Sequence, residues 1–566
     1  MRSRDMDSGV TFSLNTSKRR ANQLCAKSRL MKLSRRALAV PALVLLSILS
    51  LTAPKRARAQ AELALYSFGN APDGNYTNGR LTADGAGNLY GTTVLGGANG
   101  YGTVFELSPM QPNGCPSGSN PGSGWCETLL YSFCPVGPSC ADGALPHQAY
   151  VTFDSLGNLY STTQDGGISN NGTVFELSPE PIGGCPGGSN PGNNWCETVP
   201  YSFQFSADAG SPTDGLVIDS SGNLYGTTFT GGNGNASVYE LSPNGNGGWA
   251  KQIIYSVALN NSGNTGLAID AEGNLYGFDA NNDVFKLTFA NGVWTPTNIH
   301  TFTGSPKDGL NPEDSPTVDS SGNVYGTTIS GGSKDSGTVW KLIPVTKGKN
   351  AGTYEEKLLH SFTSNKTGEL PSTGVTLDSS GNIYGTTSFG GEFDNGTVYE
   401  LALSGTTYKY KFLWSFDETD GYLPYAKPIV DSSGNLYGTT TGGADGSGSG
   451  AVYEVIPSGV ATETTLTSSP NPSIYGETVT FTATVSSSAG TPPDGETVTF
   501  IYSFGTNYAD VLGTASLSGG SATFITSSLP FEGAGKIVAV YGGDVNLSGS
   551  TSNTVRQVVK CKPNCG

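Results

Sequence analysis

The sequence runs to 566 residues with a formal net charge of −16, 80 glycines and only 13% charged residues. Such a composition suits many short strands joined by tight turns and leaves little material for long amphipathic helices. The acidic balance argues against nucleic acid or an anionic membrane surface as partner, because phosphate-rich surfaces would be repelled.

At the N-terminus, Lys32, Arg35 and Arg36 precede an apolar run over 37–53, followed by Ala57-Arg58-Ala59. This is the pattern of a secretory signal peptide, residues 1–59, cleaved after Ala59, with Met31 as an alternative start. The twin arginine keeps the Tat route open beside Sec. An uncleaved anchor is the competing reading, but Pro41 interrupts the run and a small-residue site ends it. Cleavage removes 13 of the 30 Lys and Arg but two of the 46 acids, leaving 17 against 44, a charge of −27.

Cys25 leaves with that segment, and eight cysteines remain in close pairs: Cys115 with Cys126, Cys134 with Cys140, Cys185 with Cys196, Cys561 with Cys565. In an exported chain these read as local disulfides stapling long loops. Metal binding is the alternative, though the spacings lack the short paired geometry of zinc sites.

From there the chain repeats itself. DSSGNLYGTT stands at 219–228 and 431–440, DSSGNVYGTT at 319–328, and the leading Asp recurs at Asp84, Asp154, Asp219, Asp270, Asp319, Asp378 and Asp431. Unequal periods of about 50 residues suit propeller blades, whose loops tolerate insertions, better than solenoids. Each unit holds four strand-like pieces, a to d, seen best in the third as TDGLVID, NLYGTTF, ASVYELS and WAKQIIYSV. The a-to-b link is turn chemistry, with Gly222 free to take positive φ and Asp219 able to bond the turn backbone.

The d strand, ending in Tyr-Ser-Phe or a variant of it, is offset by one unit. Its copies end at Phe68, Phe133, Phe203, Val257, Phe302, Phe362 and Phe416, so the first precedes any a strand and none follows the last c strand, AVYEVIP. Pairing the first d strand with the last a, b and c closes a ring of seven four-stranded sheets. The expected fold is therefore all-β: a seven-bladed β-propeller over 60–457, closed by its N-terminal strand. In it Tyr225 should fill the gap to one neighbouring blade while Gly226 and Thr227 admit the other. Beyond it, 461–560 read as an immunoglobulin-like β-sandwich with alternating strands such as ETVTFTATV. A tail, 561–566, carries the last Cys pair.

The unit GNLYGTT, a Gly-Gly loop, GTVYEL and YSF resembles the bacterial GloVer tandem repeat of exported proteins, with a looser likeness to NHL-type propellers. The C-terminal domain is similar to bacterial Ig-like repeats. The resemblance implies export and repetition and no settled activity; this chain ends in an Ig-like domain and CKPNCG where other members carry a sorting signal.

Chemistry is sparse. His300 and His360 occupy the Tyr position of the d strand and read as structural substitutions; His147, in the loop before the second a strand, has no repeat equivalent. No HExxH, P-loop or GxSxG occurs. The recurring Asp invites calcium, but an Asx-turn explains it without a metal, so no cofactor is called for and calcium is the one ion left open. Strand directions put the d-to-a and b-to-c links at one end of each blade. There lie Asp73, Asp142, Asp308 and Asp420, with Gly-Gly loops at 96–97, 231–232 and 331–332, while the disulfide loops with Trp125 and Trp195 project opposite. The candidate ligand site is this acidic ring with His147, and the bland reading of the same residues is solvated turns.

The function expected is that of an exported, non-catalytic binding or cell-surface interaction protein. The propeller presents loops to an extracellular polysaccharide or surface protein, with the Ig-like domain as spacer or adhesion module. A secreted carbohydrate-active hydrolase or lyase with acids at the channel mouth is the rival, and a quinone-dependent dehydrogenase a more distant one.

Overall fold

The computed structural model describes residues 61–560 except 70–71, 112–113, 136–139, 183, 187–189, 192, 205–208, 231–235, 258–265, 364, 418–419, 444–447, 458–461, 488–489, 504–508, 530–532 and 544–546. The signal segment, Gly231-Gly232 and the Cys561/Cys565 pair lie outside the described residues. Two compact units are present, Gln60–Ser458 and one from Gly459 onward. Among the described residues no helix is long and apolar enough to cross a membrane.

The recurring decapeptide forms the a-to-b hairpin. Asp219 Oδ1 accepts the backbone N–H groups of Ser221 and Asn223 at 2.8 and 2.9 Å. Its Oδ2 accepts the Asn223 amide at 2.8 Å and the Tyr225 hydroxyl at 3.0 Å. Gly222 sits at φ +83° with open space where a Cβ would be, so glycine is there for its backbone alone. Burial by itself would raise the Asp219 carboxyl, but these hydrogen bonds outweigh it and hold the group below its ordinary range. The same carboxylate geometry recurs at Asp84, Asp319 and Asp431. The repeated letters therefore encode a self-satisfied turn.

Among the described residues of the first unit, seven sheets carry these hairpins, each running a, b, c, d. The first sheet comprises Thr82–Ala83, Leu89–Thr93, Thr103–Pro109 and Trp125–Ser132. The seventh comprises Ile429–Val430, Leu436–Thr440, Ala451–Ile456 and, as its outer strand, Ala61–Ser67. That last pairing is antiparallel, from Ala61 opposite Ile456 to Ser67 opposite Ala451, with a bulge between Ala64 and Tyr66.

Hydrophobic clusters fill the space between successive sheets. Tyr90, Val104 and Phe133 of the first meet Val151, Leu159 and Phe175 of the second. Equivalent clusters join each pair up to the seventh. Tyr437 and Val452 of the seventh then meet Leu81, Leu89 and Phe105 of the first, with Leu65, Tyr66 and Phe68 between them. The packing thus returns to its start.

The two threonines of GTT divide the work of joining. In five sheets the first reaches the next sheet: Thr92 Oγ1 donates to Ala149 O, Thr162 to Asp214 O, Thr327 to Thr373 O, Thr386 to Ala426 O, and Thr439 to Gly79 O, while Thr227 donates to Thr213 O on the a strand of its own sheet. The second, as in Thr93 with Thr103, bonds its partner on strand c at 2.7 Å. Tyr225 packs on Leu267 and Leu275 of the following sheet, as its position predicts. Gly226 needs a correction: a Cβ there would meet Tyr239 Oη at 2.5 Å and Leu216 at 2.8 Å, so it makes room for a ring of its own sheet.

In the second unit, Thr462–Ser469, Val479–Ser487 and Ser521–Thr526 form one sheet. The other is built on Thr497–Ser503, Ala509–Ser516, Gly533–Gly543 and Val555–Lys560. Phe481, Phe500, Val498, Ile537 and Tyr541 lie in the core they share, which explains the strict alternation of their strands.

Phe68 is fully buried where the N-terminal strand meets the first sheet. Phe68→Ala should destabilise the first unit by about 3–5 kcal/mol in a urea titration. An unchanged midpoint would show that the strand is dispensable.

Candidate functional site

The four Asp of the expected acidic ring are engaged within the fold. Asp73 Oδ2 accepts the Tyr66 hydroxyl at 3.0 Å and the Gly69 N–H at 2.8 Å, and its Oδ1 accepts the Gly74 N–H at 2.7 Å. Asp142 accepts Tyr131 Oη at 2.9 Å and the Cys134 N–H at 2.8 Å. Asp420 accepts Trp414 Nε1 at 2.8 Å. Asp308 accepts the Thr303 and Gly309 N–H groups, with His300 Nε2 at 3.7 Å from its Oδ1. Asp73, Asp142 and Asp420 thus tie the aromatic of the preceding d strand to the link that follows it, whereas Asp308 makes no such bond to His300. Gly97 N and Gly332 N donate to the carbonyls of Asp73 and Asp308, so the Gly-Gly loops brace the same links.

His147 is partly buried with its imidazole pushed down by burial, and it adjoins Gln148, whose N–H donates to Asn78 Oδ1 at 2.9 Å. His300 and His360 keep the edge-to-face contact with the following Phe that Tyr66 and Tyr131 make, at 4.6 and 4.8 Å.

The disulfides Cys115–Cys126, Cys134–Cys140 and Cys185–Cys196 are formed. Their long loops do not simply project. Ser123 N donates to Leu65 O and Asn193 N to Leu130 O, so the Cys115–Cys126 and Cys185–Cys196 loops are tied back to the outer strand of the preceding sheet.

What the a strands bring together is a different set. Four and five residues before the hairpin Asp, successive repeats offer Arg80, Tyr150, Asp214, Asp314 and Lys427, where others have Gly, Ser, Thr or Ala. A cavity of about 20 Å³ is lined by Asn78, Arg80, Gln148, Asp214, Asp314 and Tyr425, among others, from six repeats. A larger one, about 450 Å³, lies toward the hairpins, with Arg80 and Lys427 in its wall beside Thr82, Thr317 and Thr376. Arg80 belongs to both.

The backbone beneath these groups is held by the inter-sheet threonine bonds. The carbonyls of Gly79, Ala149 and Ala426, each just before Arg80, Tyr150 or Lys427, are the acceptors, as is that of Asp214 itself. Asp214 and Asp314 sit at φ 64° and 62°, in the left-handed region. Asp214 Oδ1 accepts the Gly215 N–H at 2.7 Å; Asp314 accepts the N–H groups of Ser315 at 2.6 Å and Gly374 at 2.7 Å. Lys427 Nζ donates to Ser315 Oγ at 2.8 Å. Gly266 is required here, because a Cβ on it would fall 1.6 Å from Asp214 Oδ2.

Arg80 lies over the Tyr150 ring at 3.5 Å, a cation–π contact, and the buried Tyr150 hydroxyl has no hydrogen-bond partner. Burial, then the charge of Asp314, pushes the Asp214 carboxyl up; burial, then Arg80, pushes the Lys427 ammonium down. Asp214 and Lys427 are buried and Arg80 and Asp314 half-buried, a desolvation that is costly unless each charge is paired or hydrogen-bonded. Sequence reasoning missed them because the a strand carries the least regular letters of the unit; the signal available was charge at a position that other repeats fill with small residues.

Two stretches of the chain, 120–340 and 318–491, match the Gloeobacter/Verrucomicrobia repeat, and the chain belongs to that family. Residues 466–560 match the bacterial Ig-like domain, group 3. The second repeat match overlaps the Ig-like one, whereas the last repeat strand ends at Ile456. No curated protein gives a significant match.

Similar solved structures include the extracellular domain of a putative one-component system from B. thetaiotaomicron, 11% identical with TM-score 0.31, covering 86% of this chain and 70% of that one. A mutant of AofleA from Arthrobotrys oligospora is 10% identical with TM-score 0.32, covering 63% and 91%. Trypanosoma rangeli sialidase with the inhibitor DANA is 7% identical with TM-score 0.31, covering 88% and 89%. At this level of similarity no ligand or activity carries across.

Glu127, 1% exposed, accepts Asn120 Nδ2 at 2.8 Å, and burial followed by the charge of Asp73 pushes its carboxyl up from 4.5 to about 7. A raised carboxyl resists ionising in the folded state, so its contribution to stability falls as pH climbs from 4.5 to about 7. Glu127→Gln should flatten that part of the stability profile and gain up to about 3 kcal/mol at pH 8, measured by denaturant titration at several pH values.

Proposed function

We propose that the chain is an exported, non-catalytic binding protein: a seven-bladed β-propeller closed by its N-terminal strand, released from a signal peptide, with the Ig-like domain as spacer or adhesion module. The cyclic return of the packing clusters and the pairing of Ala61–Ser67 with Ala451–Ile456 support the closed propeller. Three disulfides support an oxidising, extracellular location. The ligand site is the shared cavity rather than the Asp-Gly links.

The observation that carries this reading is the meeting of Arg80 and Lys427, from the first and last repeats, in one cavity wall, with Asp214 and Asp314 beside Arg80 in the smaller cavity, at positions that other repeats fill with small neutral residues. A cavity of about 450 Å³ with two cations in its wall suits a carboxylate-bearing sugar unit of an extracellular polysaccharide. The guanidinium binds the carboxylate, and the Thr82, Thr317 and Thr376 rim faces the hydroxyls.

A glycan array on the secreted chain, followed by calorimetry with the best acidic oligosaccharide, tests this. Arg80→Gln should weaken binding roughly tenfold or more, the loss of one charge-assisted contact. Changing Asp73, Asp142 and Asp420 to Asn should leave affinity unchanged in whatever fraction folds. Binding that survives Arg80→Gln and fails with the Asn variants would return the site to the links.

One observation favours the hydrolase reading, the raised Asp214 carboxyl beside Asp314, a pairing that can split acid and base roles. The cavity beside these acids has the volume of about one water, which leaves no room for a sugar between them. Release of reducing ends from the bound glycan, abolished by Asp214→Asn with binding intact, would make the protein an enzyme.

A further inference from the structure

A second constellation lies away from the shared cavity, between the fourth and fifth sheets. His300 stands on Val293–Thr301, the d strand of the fourth sheet; Asp308 lies in the link that follows; Glu356 stands on Tyr354–Ser361, the d strand of the fifth. One ligand atom from each, an imidazole nitrogen and two carboxylate oxygens, lies within 4.8 Å of the others. His300 Nε2 and Glu356 Oε1 are both buried atoms without a hydrogen-bond partner. The Asp308 carboxylate is held rigidly, its Oδ2 by Thr303 N at 2.7 Å and Thr303 Oγ1 at 2.9 Å, its Oδ1 by Gly309 N at 2.6 Å.

The first repeat shows what this corner looks like when it only stabilises the fold. There Tyr66, Asp73 and Glu127 occupy the corresponding places, and the phenol closes onto the Asp at 3.0 Å. The second repeat does the same with Tyr131 and Asp142 at 2.9 Å. In the fifth, histidine replaces tyrosine, the contact opens to 3.7 Å, and the imidazole nitrogen is left beside two carboxylates without a hydrogen bond to either. A buried imidazole nitrogen and a buried carboxylate oxygen that find no hydrogen-bond partner are costly to the fold. His360 makes a useful contrast: it also replaces the tyrosine, yet it stacks on Tyr410 at 4.4 Å and no carboxylate pair faces it among the described residues.

We propose that His300, Asp308 and Glu356 form a binding site for one divalent transition-metal ion, zinc foremost, pinning the fourth sheet to the fifth. The donor set supports that class: an imidazole nitrogen with two carboxylates suits zinc and its neighbours, whereas calcium takes oxygen ligands only. A dication is neutralised by the two carboxylates and satisfies both orphan atoms. Three protein ligands leave at least one position for water. The site does not depend on the ligand reading of the shared cavity.

The test uses the full secreted chain, stripped with a chelator and titrated with Zn²⁺ against a chromophoric competitor. Binding of about one Zn²⁺ per chain is expected. Substituted Co²⁺ should give visible absorption bands that report a nitrogen ligand. His300→Tyr recreates the tyrosine-to-Asp bond of the first and second repeats, so it should melt no lower than the metal-free parent while weakening Zn²⁺ roughly 100-fold. Glu356→Gln should weaken it similarly, and His360→Tyr should leave affinity unchanged. The proposal is overturned by an absence of stoichiometric Zn²⁺, by equal affinity in His300→Tyr, by equal loss in His360→Tyr, or by Ca²⁺ binding at this corner that ignores His300.

Discussion

Everything in the first unit depends on one backbone ladder, the antiparallel pairing of Ala61–Ser67 with Ala451–Ile456. Without it the last c strand would present an open edge of unpaired N–H and C=O groups, and the cluster around Phe68 would face water. With it, the two ends of the repeat array are tied by further bonds. Phe68 N donates to Gly450 O, Tyr76 N to Ser449 O, and Thr77 Oγ1 to Thr440 O. Loop closure over so long a chain is entropically costly only once, because cost grows slowly with length, and one ladder plus one apolar cluster suffices to offset it. The same join sets Arg80, from the first repeat, in one cavity wall with Lys427, from the last.

The repeats supply a framework in which almost every polar group is answered locally. The hairpin Asp takes four donors, the first Thr of GTT answers a neighbouring carbonyl, and the link Asp holds the aromatic before it. Against that background, departures stand out as physical anomalies. A histidine whose nitrogen faces two carboxylates, and a buried phenol without a partner under an arginine, are places where the framework alone does not account for the side chain. The deviations are of two kinds, one between neighbouring sheets and one shared by many, and they involve different strands of the unit: d for His300 and Glu356, a for the charged cavity residues.

Several expectations drawn from the letters correspond to observed contacts. Tyr225 reaches the next sheet, and the six cysteines of the described loops pair as neighbours in sequence. The acidic links were visible as a pattern but not as chemistry. Asp73 and Asp142 look like free loop acids in the sequence because their tyrosine partners, Tyr66 and Tyr131, sit on the strand before and point toward them only after the link has turned. The disulfide loops were misjudged for a similar reason, since the acceptors of Ser123 and Asn193 lie on the preceding sheet.

What the sequence by itself determined is whatever depends on near neighbours: the Asx-turn at each hairpin, the strand periodicity, the one-unit offset of the d strand, and the compositional break into the sandwich. Those features rest on bonds between residues a few positions apart, and they are written out as often as they are needed. Only the tertiary structure decided which charges share a cavity. Arg80, Asp214, Asp314 and Lys427 occur once each, in separate repeats, four or five residues before the hairpin Asp, and what brings them together is the packing of a strands from distant repeats around two cavities that share Arg80.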